Sequence, residues 1–171
     1  MIVPVLVTDR LRLRAHRLDD FLALAAIWAD PVTTRYIGGS PATSEESWTR
    51  LLRYAGHWAM LRFGYWAIEE KATGNYVGEA GFADYKRIHE SSLKQLPEIG
   101  WVIAPQSHGK GYAAEAVRAA VEWGDANFSD PRTTCLIEPG NLASIRVAEK
   151  CGYREFERTV YKGQPGIVFV R

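Results

Sequence analysis

The chain has 171 residues, of which 47% are hydrophobic and 24% are charged, and its formal net charge is +1. A chain of this length can bury a sizeable core, so we predict a single domain over residues 1–171. The near balance of charge excludes a general electrostatic hold on nucleic acid or anionic lipid, since both need a basic face.

The cysteines, the histidines and the N-terminal residues argue against metal, disulfide and membrane functions. Cys135 and Cys151 lack the C-x-x-C spacing of zinc sites and redox motifs. His16, His57 and His89 lack metal-ligand spacing, and we expect them to be solvated. The opening MIVPVLV lacks the basic start and the length of a signal peptide, and no apolar run approaches membrane length. These features predict a cytoplasmic protein without a metal site.

The first part of the chain predicts a strand and then a helix. Leucines alternate with arginines from Arg10 to Arg14, which is the pattern of a half-buried strand. A helix opens at Leu18-Asp19-Asp20, and Asp30-Pro31 ends it, because the residue before a proline disfavours helical dihedrals. The loop over 31–41 contains an arginine, a tyrosine and two glycines, and either contributes to function or simply connects two helices.

A capping box predicts the start of the second helix. Thr43 and Glu46 have the S/T-x-x-E spacing in which each side chain bonds the backbone of the other. The positions that we expect to form the buried stripe of this helix are Trp48, Leu51, Leu52, Ala55 and Ala59.

The middle of the chain predicts a hairpin and a projecting turn. Strands over 64–70 and 76–85 are joined by a turn with Gly74 where a positive φ is needed, and Glu79 lies in the second strand. Residues 87–95 are polar and irregular.

Residues 97–128 contain the most informative pattern of the sequence. An apolar run ends at Pro105, the turn Gly109-Lys110-Gly111 follows, and helix spacing begins at once. The two glycines leave the first N–H groups of the helix unshielded, and those groups have no partner inside the helix. Together with the positive end of the helix dipole, they predict a site for a phosphate-bearing ligand.

Two other glycine-loop motifs compete with this interpretation. Gly109, Gly111 and Ala114 fit the dinucleotide pattern G-x-G-x-x-G/A, with Asp130 downstream as the ribose-binding acid. However, Asp130 precedes an apolar run, whereas that acid belongs at the end of a strand. A P-loop needs Ser or Thr after Gly-Lys, and Gly111 stands there. The dinucleotide site and a turn without a ligand remain alternatives.

The last part of the chain predicts a strand, a short helix and a closing hairpin. The strand spans 133–137, and Asn141 caps a helix that starts at Leu142. The hairpin strands span 154–160 and 166–171.

Two motifs in this order resemble those of the GNAT superfamily of N-acetyltransferases. Gln106-x-x-Gly109-x-Gly111-Tyr112-Ala113 resembles their acetyl-CoA pyrophosphate loop. The stretch NLASIRVAEKCGY over 141–153 resembles their second cofactor motif, in the form found in the branch that acetylates N-termini of ribosomal proteins. The similarity runs from about Thr8 to the C-terminus and implies an α+β fold. That fold has a central mixed, mostly antiparallel twisted sheet of about seven strands with a splayed parallel pair, flanked by about four helices.

The resemblance also implies acetyl-CoA as the cofactor and an amine as the acceptor. The acceptor is either a peptide N-terminus or a small molecule, and the protein is a monomer or a homodimer. The residues implied to bind the cofactor are Val102, Ile103, Ala104, His108, Gly109, Lys110, Gly111, Tyr112, Ala113 and Asn141.

Direct transfer to an amine in a ternary complex needs a base and a donor to the leaving thiolate. We expect Glu98 to be the base, because it begins the strand that flanks the thioester and because Gly100 leaves space beside it. Glu79 and Glu138 compete for that role.

The donor to the thiolate is the second expected role. Many family members carry a tyrosine at the position of Ala148, so this chain needs another donor, and Ser144 is the residue that the resemblance implies. A CoA-binding regulatory or scaffold module without turnover is the alternative function. Cys151 is a poor candidate for a nucleophile, because it lies late in a helix and direct transfer needs none.

Overall fold

A computed structural model describes residues 2–87, 91, 93 and 95–171. Within them the chain forms one eight-stranded sheet and five α-helices. The strands are β1 Leu6–Val7, β2 Leu11–Arg14, β3 Tyr65–Glu70, β4 Tyr76–Ala83, β5 Glu98–Ile103, β6 Thr134–Ile137, β7 Arg154–Tyr161 and β8 Gln164–Val170. The helices are α1 Phe21–Trp28, α2 Pro31–Thr34, α3 Ser44–Leu61, α4 Tyr112–Asn127 and α5 Leu142–Lys150, with one-turn 3₁₀ segments at Leu18–Asp20 and Pro105–Ser107.

The expected sheet architecture is confirmed. The strand order is β1-β2-β3-β4-β5-β6-β8-β7, and every neighbouring pair is antiparallel except the parallel pair β5–β6. Among the described residues there is one strand and one helix more than the expected seven and four, and both β1 and α2 are short. The turn expected over 87–95 and His89 fall partly or wholly outside the described residues.

The parallel pair separates immediately after it begins. Glu98 and Thr134 form its one registered pair, and the Thr134 N–H donates to the Pro97 carbonyl at 3.0 Å. Because backbone groups alternate in direction along a strand, the groups of Trp101 and Ile103 also face β6, where no strand partner meets them. A fork therefore opens between β5 and β6.

Helices cover both faces of the sheet. On one face α4 packs its small residues Ala116, Val117 and Ala120 against Phe82 and Ile99. On the other face α1 and α3 cover the side chains that β4 and β5 present there, among them Ala83 and Val102. The fork lies between these two layers. None of the helices within the described ranges is long and apolar enough to cross a membrane.

The buried stripe of α3 differs from the expected one: Leu51 is buried as predicted, but the other four predicted positions are exposed and residues next to them in sequence are buried instead. Trp48 and Leu52 are 41% and 49% exposed. The residues of α3 that face the protein are Ser47, Leu51, Tyr54, His57 and Trp58. This orientation gives the large aromatic side chains polar partners, since Tyr54 donates to Glu79 and Trp58 Nε1 donates to the Tyr65 carbonyl at 3.0 Å.

The expectation that His16 and His57 are solvated was also wrong. The His16 side chain is only 4% exposed and lies beside the carboxylate of Glu79. His57 is buried, and its Nδ1 lies 3.0 Å from the carbonyl of Arg53. Both rings fill the core between α3 and the sheet, which their isolated positions in the sequence do not indicate.

Candidate active site

The loop before α4 has the geometry of an anion site. Gly109 and Gly111 have φ of 76° and 80°, in the left-handed region that favours glycine. Gly111 has no side chain with which to cap α4, and the first intrahelical bond runs from the Glu115 N–H to the Gly111 carbonyl at 3.2 Å. The N–H groups of the first turn before Glu115 are therefore free for a ligand. A side chain at Gly109 would meet nothing within 4 Å, so the approach is open.

His108 fixes this loop to the end of β5. Its Nε2 lies 2.8 Å from the Ile103 carbonyl, and since a carbonyl only accepts, Nε2 carries the proton. The Ala104 N–H donates away from the fork, to the Val77 carbonyl at 2.9 Å. Among the three strand residues expected to bind the cofactor, Ile103 thus faces the fork, whereas Val102 and Ala104 direct their backbone groups toward β4.

Trp101 is a fork-facing residue that the sequence interpretation missed. Its N–H and carbonyl lie on the β6 side of β5 by the alternation that the Thr134–Pro97 bond fixes. Sequence alone could not identify it, because the direction of a backbone group depends on which residue of β5 pairs with β6.

Lys110 and Tyr112 connect the loop to the end of β3. Tyr112 donates to a carboxylate oxygen of Glu70, and Lys110 Nζ lies 3.6 Å from the same carboxylate. The hydrogen bond from Tyr112 is the first cause of the lowered pKa of Glu70. Lys110 is half exposed, so its ammonium can also turn toward an anion at the loop.

Helix α5 lies beside the start of α4. The Asn141 side chain accepts from the Ser144 N–H at 3.1 Å, so the expected cap is confirmed. Ser144 is half-buried, and no hydrogen-bond partner of its hydroxyl is found within the described part of the chain. Ala148 is fully buried in the core, so its position provides no hydroxyl. Cys151 donates its thiol to the Ala114 carbonyl at 3.6 Å, and burial raises its pKa.

Glu98 lies where the fork closes. Arg87 donates to both of its carboxylate oxygens, at 2.7 and 2.8 Å. A cavity of about 20 Å³ borders Glu98, Arg87, Thr134 and Leu136. One water molecule needs about 10–15 Å³ measured in this way, so a relaying water fits beside the carboxylate.

The space expected beside Gly100 is filled, which corrects that part of the sequence interpretation. A Cβ atom at Gly100 would overlap the hydroxyl oxygen of Tyr65. Tyr85 donates to that hydroxyl at 3.1 Å, and the Tyr65 ring stacks on Tyr54 at 4.7 Å. Burial raises the pKa of Tyr65 well above its usual value, so Tyr65 keeps its proton. Glycine at 100 is required because a tyrosine from β3 occupies the place of its side chain.

The Glu79 side chain is buried and surrounded by hydrogen-bond donors. Its carboxylate accepts from Trp28 Nε1 at 2.9 Å, from the Tyr76 hydroxyl at 2.8 Å and from the Tyr54 hydroxyl. His16 Nε2 lies 3.8 Å away. Burial raises the pKa of Glu79, but His16 and the tyrosines outweigh it and leave the pKa lowered. A charged carboxylate with this many donors has a structural role.

Glu138 follows β6 at the open end of the fork and is half-buried. A Cβ atom at Gly140 would lie 3.1 Å from the Tyr36 ring and 3.5 Å from the Glu138 carboxylate. The loop that carries Tyr36 therefore reaches the start of α5. Among the described residues no cluster of three or more metal-binding side chains is found.

Comparison with known proteins establishes the class. Residues 10–154 match the profile of the acetyltransferase (GNAT) domain, and the chain belongs to that family. It is an acetyl-CoA-dependent acyltransferase by that membership, and the loop, the free N–H groups and the fork fit such a cofactor.

Three similar proteins match nearly the whole chain, and two of them are named as acetyltransferases. The Bacillus subtilis protein YkkB is 34% identical over 97% of this chain and 94% of its own length. The uncharacterized N-acetyltransferase YnaD of B. subtilis is 30% identical, covering 91% of this chain and 88% of its own. A GNAT-family acetyltransferase structure from Bordetella pertussis is 29% identical with a TM-score of 0.85, covering 98% of this chain and 99% of that chain.

Structures of lower identity share the fold alone. They include a ribosomal-protein-serine acetyltransferase and a spermidine N-acetyltransferase in complex with CoA and spermine, both from Vibrio cholerae, at 20% and 18% identity and TM-scores of 0.77 and 0.74. The first covers 100% of this chain and 99% of that chain, and the second 96% of each.

Proposed function

We propose that the protein transfers an acetyl group directly to a primary amine, with both ligands bound at the fork between β5 and β6. The observation that carries this proposal is a row of backbone groups on β5 that have no strand partner. The fork that begins after Glu98 leads past Trp101 and Ile103 to the free N–H groups of α4. Acetyl-CoA, when bound, supplies the acetyl group as a reactive thioester.

In this proposal the loop and the fork hold different parts of the cofactor. The N–H groups from Gly109 to Ala113 hold the pyrophosphate, because they lie at a helix N-terminus with no competing side-chain cap. The expected contribution of the His108 N–H is not available, since that group donates to the Pro105 carbonyl at 3.1 Å. The backbone of Trp101 and the N–H of Ile103 bond the pantetheine amides, since the Ile103 carbonyl already accepts from His108. Val102 and Ala104 direct their backbone groups toward β4 and take no part in these bonds. Asn141 lies at the start of α5.

Glu98 acts as the base in this proposal. An amine near neutral pH is mostly protonated, so a proton must leave before the amine attacks. Two hydrogen bonds from Arg87 occupy part of the carboxylate, but an ionised carboxylate offers about four lone-pair sites. The neighbouring cavity gives a water a path between the amine and Glu98.

Ser144 acts as the donor to the leaving thiolate. Ser144 lies in the first turn of α5 and is half-buried, and within the described residues its hydroxyl is not used by the backbone of its own helix. A free hydroxyl there favours turnover over the alternative of a CoA-binding module, whose support is the alanine at position 148.

The acceptor amine belongs either to a peptide N-terminus or to a small molecule. The motif over 141–153 favours the N-terminal acetylating branch. The spermidine acetyltransferase fold shows that the same architecture also serves small amines, so both classes enter the test. A single cytoplasmic domain and a monomeric or homodimeric state stay predictions.

The test is a screen of acceptors with acetyl-CoA, read by release of free CoA thiol. The panel contains peptides with N-terminal alanine or serine, spermidine, an aminoglycoside and free amino acids. We expect thiol release that depends on one acceptor class, and mass spectrometry then places one acetyl group on its amine. Binding of acetyl-CoA by calorimetry without acceptor-dependent release would overturn the transfer proposal and favour the CoA-binding module.

A further inference from the structure

The segment 8–10, just before β2, contacts the carboxylate of Glu115 in α4 through four groups. The Thr8 hydroxyl and the Arg10 N–H donate to Glu115 Oε1 at 2.6 and 2.9 Å. Arg10 Nε donates to Oε2 at 2.8 Å, and Arg10 Nη2 lies 2.6 Å from that oxygen. Glu115 lies in the first turn of α4, and 105 residues separate it from Arg10. So many donors on one half-buried carboxylate indicate a specific role for the pair.

Arg10 also holds the backbone of the glycine loop. Its Nη1 donates to the Lys110 carbonyl at 2.8 Å, and its guanidinium lies 4.9 Å from the centre of the Tyr112 ring. A trans peptide is planar, so the N–H of Gly111 points opposite to the carbonyl of Lys110. By fixing that carbonyl, Arg10 directs the Gly111 N–H away from itself and toward the open side of the loop.

The charge of Glu115 is a second reason to expect that its pairing with Arg10 affects anion binding. Burial raises the pKa of Glu115, but hydrogen bonds from Thr8 and Arg10 leave it below its usual value, so the carboxylate is charged. A negative charge in the first turn stabilises an isolated helix but repels an anion at the same terminus. The guanidinium, in contact with that carboxylate, cancels the repulsion at short range.

We propose that Arg10 is a positioning residue for the cofactor pyrophosphate: it orients the Gly111 amide and neutralises Glu115 at the start of α4. This inference rests on the proposed function, in which the loop binds that pyrophosphate. Arg10 acts through these two groups, because its guanidinium is already occupied by Glu115 and Lys110.

The test is a double-mutant cycle on acetyl-CoA affinity, measured by calorimetry. Arg10→Ala removes both effects and weakens binding about tenfold, the scale of one close charge interaction in partial solvent. Glu115→Gln removes the repelling charge and leaves affinity within about threefold of wild type, by the same argument. Adding Glu115→Gln to Arg10→Ala recovers part of the loss, because only the orientation of Gly111 is then missing.

Arg12→Ala is the matched control. Arg12 lies two residues further along, in β2, and is paired with Glu69 at 2.9 Å. Its side chain is 50% exposed, as is that of Arg10. It contacts neither the loop nor α4, so we expect unchanged affinity. A ligand control separates positioning from folding: pantetheine lacks the pyrophosphate, and by NMR titration its affinity should be the same for wild type and Arg10→Ala.

Two results would overturn the inference. Equal losses in Arg10→Ala and Glu115→Gln, without recovery in the double variant, would make the pair a structural brace. Wild-type affinity in Arg10→Ala would remove the role entirely. These results differ from a failure of the proposed function itself. If the wild-type chain does not bind acetyl-CoA, both the proposed function and the role of Arg10 are overturned.

Discussion

The two sides of the fork are built by different means. On the proposed cofactor side, the site consists of N–H groups of one contiguous stretch, 109–113, and glycine supplies the backbone dihedrals. On the proposed acceptor side, the side chains come from three different parts of the chain: Tyr65 lies beside Gly100, Tyr85 donates to the Tyr65 hydroxyl, and Glu98 begins β5. A backbone site depends on dihedral angles, whereas a side-chain site depends on packing. Most side-chain substitutions therefore leave the geometry of a backbone site unaltered, whereas they alter the geometry of a side-chain site.

The largest expected effect is on the backbone site. Gly109→Val forces a branched residue to a φ of 76° and places a side chain where the ligand approaches, so acetyl-CoA binding should be abolished. The fold should persist, because a Cβ atom there meets nothing within 4 Å. Gly74→Val is the matched control, since Gly74 has a φ of 73° with equally open surroundings on the β3–β4 turn.

Both variants carry a left-handed strain of about 1–2 kcal/mol, which thermal unfolding should detect equally. Calorimetry should then show loss of binding in Gly109→Val alone. Unchanged affinity in that variant would contradict a backbone anion site.

The next largest expected effect is on turnover, when Glu98 of the side-chain site is replaced. Glu98→Gln removes the proposed base, and one positioned base contributes about 10²–10⁴-fold to turnover. We expect turnover to fall by that order and acetyl-CoA affinity to stay the same. Glu138→Gln is the comparison, since Glu138 ends the neighbouring strand. If Glu138→Gln has the larger effect on turnover, the base is at the open end of the fork.

Ser144→Ala should have a smaller effect on turnover, about 100-fold, because water can partly replace a donor to a thiolate. The Ser144 N–H keeps its bond to Asn141, so the helix cap and the acetyl-CoA affinity should be preserved. Steady-state kinetics and calorimetry measure the two quantities separately. Wild-type turnover would assign the proton to water.

The smallest effect concerns the packing that shapes the acceptor side. Gly100→Ala introduces a Cβ atom into the space of the Tyr65 hydroxyl and should destabilise the protein by about 1–3 kcal/mol, as overpacking does. Adding Tyr65→Phe removes that oxygen and should recover most of the loss. Denaturant unfolding of the two single variants and the double variant measures this coupling. If the losses of stability in the two single variants simply add in the double variant, Tyr65 is not the reason that glycine is required at position 100.

The elements that were predicted correctly from the sequence depend on hydrogen bonds or turns between residues only a few positions apart. The capping box at α3 is present, with Glu46 N–H to Thr43 Oγ1 at 3.2 Å and Thr43 N–H to the Glu46 carboxylate at 2.7 Å. The Asn141 cap and the glycine turn before α4 are likewise confirmed. Such hydrogen bonds close within one turn, so the spacing of residue types is enough to predict them.

Tertiary structure alone decided which side chains meet. Most of the predicted stripe of α3 was wrong, because the aromatic side chains of Tyr54 and Trp58 find buried polar partners that composition does not reveal. Sequence spacing gave no sign that Tyr65 fills the place beside Gly100, or that Arg10 reaches Glu115 across 105 residues. The sequence determined the local backbone geometry of the cofactor loop, because few dihedral states satisfy a glycine turn before a helix. The acceptor side required the fold, since long-range packing decides which distant side chains share a face.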